Sequence, residues 1–89
     1  MKDQVDEQEK EAKFKEFFEK ARKGVLKYLA ENDGSLPLDK MHEHSLNTYF
    51  IQHQRFSQLM ESFVDEKLID YDGATQVSMI TEKGKEFIK

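Results

Sequence analysis

Residues 56–84 read Phe56-Ser57-Gln58-Leu59-Met60-Glu61-Ser62-Phe63-Val64-Asp65-Glu66-Lys67-Leu68-Ile69-Asp70-Tyr71-Asp72-Gly73-Ala74-Thr75-Gln76-Val77-Ser78-Met79-Ile80-Thr81-Glu82-Lys83-Gly84, and this stretch decides the fold. Phe56, Leu59, Met60, Phe63 and Val64 recur at helical spacing, which predicts an amphipathic helix from about Gln52 to Lys67. Leu68-Ile69-Asp70-Tyr71 and Val77-Ser78-Met79-Ile80 are short β-type runs around a turn centred on Asp72-Gly73, the pattern of a hairpin. Thr81 then stands where a helix N-cap belongs, opening a short final helix through Ile88.

Upstream, Phe14, Phe17, Phe18, Ala21, Val25, Tyr28 and Leu29 follow the same helical spacing and predict a first helix. Gly24 lies inside it at a cost of up to about 1 kcal/mol relative to Ala, a cost that suggests close approach of another backbone. Asn32-Asp33-Gly34 is a stop, with Gly34 suited to a left-handed C-cap. Ser35-Leu36-Pro37 is held extended because the residue before proline avoids helical geometry, and Pro37 suits the first turn of a second helix. Leu38, Met41, Ser45, Leu46 and Tyr49 supply that helix's inward stripe, and Phe50-Ile51 the turn into helix three. Residues 1–13 alternate charges with little apolar content and are expected to form a flexible lead-in to a domain over residues 14–89.

The chain has 89 residues, enough for one small domain, and is 37% apolar and 36% charged. It has no Cys, so disulfides and thiolate zinc sites are excluded. No apolar run is longer than Tyr49-Phe50-Ile51, far short of the roughly 20 residues of a membrane span, and Met1-Lys2-Asp3-Gln4 opens no secretory signal. A cytoplasmic protein is the expectation. The net charge is -4; residues 1–13 carry three Lys against five acids, and the rest 11 basic against 13 acidic residues. Any basic patch for nucleic acid must therefore be local.

The order of helix, hairpin and Thr-Glu-Lys-Gly helix resembles the winged helix-turn-helix domains of bacterial and archaeal regulators such as the MarR, PadR and YjcQ-like families. The likeness extends from Phe14 to Ile88 and implies a mainly helical fold with a small hairpin, in the order α-β-α-α-β-β-α. It places Ile51 on the apolar turn residue before the recognition helix. Two positions depart from the family pattern: Phe50 stands where a small residue or Gly is usual, and the wing tip reads Asp72-Gly73-Ala74-Thr75 without Arg or Lys. The resemblance further implies a homodimeric transcription regulator, and Phe14, Phe17 and Phe18 exceed what one small core readily buries, although core packing accounts for them equally well.

In this fold the start of the second helix of the motif meets base edges. Here those positions hold Gln52, His53, Gln54, Arg55, Ser57 and Gln58, with Gln54, Arg55, Ser57 and Gln58 the best placed to face outward. Arg pairs two-pronged with guanine, Gln with adenine, and Ser with either. A polar outer face also forms on any solvated helix, and Glu61, Asp65 and Glu66 further along would repel phosphates. Lys40, together with Lys20, Arg22, Lys23 and Lys27, could meet flanking phosphates, although ion-pair spacing along the first helix offers these charges internal partners.

His42 and His44 point to different helix faces, so with His53 they give no expectation of a metal site. Dispersed glycines and acids without a shared pocket give no expectation of an enzyme or a bound cofactor. Duplex DNA is the expected partner; a protein-interaction module without DNA binding is the alternative that the acidic balance also fits.

Overall fold

The computed structural model describes the backbone of residues 2–89 and the side chains of residues 13–89. Its elements are α1 (Lys2–Glu31), β1 (Ser35–Pro37), α2 (Leu38–Tyr49), α3 (His53–Asp65), β2 (Ile69–Asp72), β3 (Val77–Ile80) and α4 (Glu82–Phe87). This is the expected order α-β-α-α-β-β-α. Helix α1 starts at Lys2 rather than near Phe14, so the charged lead-in is continuous with it in backbone; the side chains of residues 1–12 lie outside the described residues.

The three strands form one antiparallel sheet in the order β1-β3-β2. Leu36 lies opposite Ser78, and Tyr71 opposite the same Ser78 from the other side. Pro37 ends the edge strand β1, where a missing N–H interrupts no inner ladder, and it serves as the N-cap of α2 rather than as its first helical residue.

Helix ends follow the local chemistry of the chain. At the end of α1 the Asn32 and Gly34 amides both donate to the Leu29 carbonyl, and Asp33 and Gly34 adopt left-handed φ of 66° and 76°. Two other helix ends place a non-glycine in that region: Phe50 (φ 57°) after α2 and Lys67 (φ 60°) after α3. Each costs about 1–2 kcal/mol that tertiary packing must offset. Thr81 joins two ends at once, its Oγ1 accepting from the Gly84 amide at 3.0 Å and donating to the Lys67 carbonyl at 2.7 Å.

The core gathers Ala21, Val25, Leu26 and Leu29 of α1, Met41 of α2, Phe56, Leu59, Met60 and Phe63 of α3, and Ile51, Leu68 and Ile69. Of the five residues of the expected α3 stripe, Phe56, Leu59, Met60 and Phe63 are buried and Val64 is 48% exposed. On α1 the buried face is rotated from the expected stripe: Leu26 is fully buried, whereas Phe14 and Phe17 are about 40% exposed, because the body of the domain packs against the second half of the helix. Leu46 likewise lies outside the core, at 43% exposed.

One glycine expectation changes. The close approach at Gly24 comes from a side chain, not a backbone: a Cβ there would lie 1.6 Å from the Tyr49 hydroxyl. In the wing the expected turn is in place at residues 73–76, Gln76 takes a left-handed conformation (φ 58°), and the Asp72 carboxylate closes the turn by accepting from the Ala74 amide at 2.9 Å.

Candidate nucleic-acid interface

Helices α2 and α3 meet through the three-residue turn Phe50-Ile51-Gln52. Phe50 is 83% exposed at its crest, while Ile51 is buried and the Phe50 amide donates to the Leu46 carbonyl at 2.9 Å. With Phe56, Leu59, Met60 and Phe63 turned inward, the remaining positions of the first turns of α3 face away from the core by helical periodicity. Gln52, His53, Gln54, Arg55, Ser57 and Gln58 are all exposed, and so is Lys40 near the start of α2.

The structure divides these residues into two groups. Arg55 and Gln58 lie on the side facing α1: the Arg55 guanidinium sits over the Phe14 ring, 4.5 Å from its centroid, and donates to Gln58 Oε1 at 3.2 Å. His53 and Ser57 turn toward a cleft between α3, the start of α2 and the wing. The Ser57 hydroxyl is engaged with the His53 carbonyl at 3.2 Å. Gln52, in extended geometry, is the N-cap of α3 but makes no side-chain cap bond. Phe14 is the residue that sequence reasoning missed at this site. Only its stacking on Phe18 (centroids 5.6 Å apart) and the packing of α1 on the domain bring it beside Arg55, and spacing along the chain carries no sign of that.

Lys40 pairs with Glu43 at 3.7 Å, both side chains exposed, a contact of little strength that a phosphate can replace. Arg22 corrects the expectation of a phosphate contact: it is 6% exposed, ion-paired with Glu19 and Glu66, and its guanidinium lies 5.1 Å from the centre of the Phe87 ring and 5.9 Å from that of Phe63. Lys20, Lys23 and Lys27 remain exposed along α1. The wing strands present Asp70 and Asp72 and no Lys or Arg, so this hairpin offers phosphates no cation.

The three histidines fall into two settings. His44 stacks flat on Tyr28, centroids 3.8 Å apart, and its pKa is lowered by burial, with the Glu31 carboxylate offsetting part of the shift. His42 and His53 lie edge to face, 5.8 Å apart. Among the described residues no group of three or more His, Cys, Asp or Glu is placed to hold a metal ion, and no helix is long and apolar enough to cross a membrane.

Three core helices, a helix-turn-helix unit and a hairpin closed by a short third strand define a winged-helix fold. The chain is similar in structure to F93 from STIV, a winged-helix DNA-binding protein, with a TM-score of 0.59 and 24% identity over 72% of this chain and 74% of that one. At that identity the likeness bears on the fold. No protein-family model matches the chain, and none of the curated proteins matches it significantly.

Proposed function

We propose that this chain is a small DNA-binding protein that reads duplex DNA with the first turns of α3, acting as a cytoplasmic, homodimeric transcription regulator of the MarR, PadR or YjcQ-like kind. One observation carries the reading: in a winged-helix fold, the first turns of α3 present Gln52, His53, Gln54, Arg55, Ser57 and Gln58 outward while Phe56, Leu59, Met60 and Phe63 turn inward. The resemblance in fold to F93, itself described as DNA-binding, supports it. In this reading Arg55 leaves Phe14 to pair with a base, giving up a contact of about 0.5–1 kcal/mol, and Lys40 exchanges Glu43 for a phosphate. Pairing of two copies through α1 is supported by the exposed rings of Phe14 and Phe17.

Titration of the full chain with random and selected duplexes at low and moderate salt tests the reading. The expected result is weak, shallowly salt-dependent binding to random duplex, because the acidic wing contributes no phosphate contact, and tighter binding to a selected site. A folded chain that binds no duplex at low salt overturns it and leaves the protein-interaction module. Sedimentation at micromolar concentration tests the pairing: a clean monomer removes it.

A further inference from the structure

A cleft of about 550 Å³ lies on the other side of α3 from Arg55, between α3, the first turn of α2 and the wing. Its floor is apolar, made by Leu38, Phe56, Met60 and Val64. Val64 is 48% exposed there, the residue whose place on the helical stripe predicted burial. The Tyr71 ring, 38% exposed, lines the cleft from the wing. Three carboxylates also line it, Asp39, Glu61 and Asp65, and no Lys or Arg does. His42 adds one polar atom of note: its Nε2 is shielded from solvent and has no hydrogen-bond partner in the protein. An apolar pocket with a few convergent polar groups is the usual form of a small-molecule site.

We propose that this cleft is an effector site for an amphipathic organic cation, an aromatic or branched apolar body carrying one ammonium head. The apolar body displaces water from Leu38, Met60 and Val64. The head lies among Asp39, Glu61 and Asp65 beside the Tyr71 ring, where carboxylates and the face of an aromatic ring both attract a poorly hydrated cation. A neutral molecule of the same shape gains only the apolar contact, and an anion is repelled by the three carboxylates. His53 and Ser57 line the same cleft from the first turns of α3, so an occupant sits against two of the residues assigned to DNA.

The test needs no DNA, so its outcome is independent of the DNA reading. Three probes of similar size, phenyltrimethylammonium, its carbon isostere tert-butylbenzene, and benzenesulfonate, are titrated into the 15N-labelled full chain and followed by amide chemical shifts. The expected result is saturable shifts at residues 38–42, 56–65 and 71 with the cation, about tenfold weaker binding of the neutral isostere, and none of the anion. The exposed pair Glu61→Gln with Asp65→Asn should weaken the cation several-fold while leaving the isostere unchanged. Val64→Lys, which puts a cation over the floor, should abolish cation binding in a folded chain. Equal binding of cation and isostere, preference for the anion, no saturable shift in the cleft, or a double variant of unchanged affinity each overturns the proposal.

Discussion

The chain has two arginines, and the regions around them treat the same side chain in opposite ways. Arg22, in the second half of α1, is buried with carboxylates on both sides and the rings of Phe63 and Phe87 against its guanidinium. Arg55, at the start of α3, is exposed, rests on the half-exposed Phe14 ring and has a single neutral hydrogen-bond partner, Gln58. Arg22 ties α1 to the end of α3 through Glu66, and releasing it would strand a charge in the core. Arg55 can leave its ring at little cost. A guanidinium over an aromatic ring is a strut in one place and a parking position in the other, and burial makes the difference.

The most severe way to break the strut is from beneath. Phe63→Ala should destabilise the domain by about 3–5 kcal/mol in urea unfolding, since the fully buried ring packs against the core on one side and Arg22 on the other. A variant of unchanged stability would mean that α3 turns another face inward. Next in size, Arg22→Ala should cost about 2–3 kcal/mol, mostly lost packing, because Glu19 and Glu66 are about half exposed and regain water when the guanidinium is gone. Arg22→Met, which keeps the volume, should lose less than half of that; an equal loss in both would place the stabilisation in the charges instead.

At the other arginine, stability should hardly respond while binding does. Arg55→Ala should lower unfolding free energy by no more than about 1 kcal/mol, the most that its contact with Phe14 supplies, and weaken specific DNA binding by about 1–3 kcal/mol. Phe14→Ala, which frees Arg55, should leave binding unchanged or strengthen it by up to about 1 kcal/mol. Weaker binding in Phe14→Ala would show that the ring presents Arg55 to DNA rather than withholding it. The smallest effect belongs to His44. Burial holds its pKa below the 6.5 of a free imidazole, so the folded state disfavours the imidazolium. Its contribution to stability is whole above about pH 6.5 and declines as the pH falls from there toward the folded-state pKa. Unfolding at pH 7.5 and pH 5 should show this decline in the wild-type chain and a smaller one in His44→Gln.

Much of the architecture was legible in the residues. The spacing of Phe56, Leu59, Met60 and Phe63, the Asn32-Asp33-Gly34 stop and the Thr81 cap each rest on local chemistry, and each is found in place. The candidate site was legible only as a set of polar positions on α3. Its division into an Arg55–Phe14 side and a His53–Ser57 side depends on where α1, α2 and the wing come to lie, and residues 41 positions apart share no pattern that periodicity can detect. The wing shows the same limit: Asp72-Gly73 announces a turn, but the strand register selects Gln76 for the left-handed position, and Gly73 has open space around it.

The sequence by itself determined the order of helices and strands, the stop of α1 at Asn32-Asp33-Gly34, the start of α4 at Thr81 and the inner face of α3, because hydrogen bonds and helical repeats act over a few residues. Tertiary structure alone decided that Leu26 is buried where Phe14 and Phe17 are not, that Arg22 is interior and Arg55 exposed, and that Val64 opens onto a cleft. The physical reason is that burial is a property of surfaces brought together, and the core closes over Ala21, Val25, Leu26 and Leu29 of α1 while leaving Phe14 and Phe17 half-exposed. A residue can carry the pattern of a core position and still have nothing packed against it.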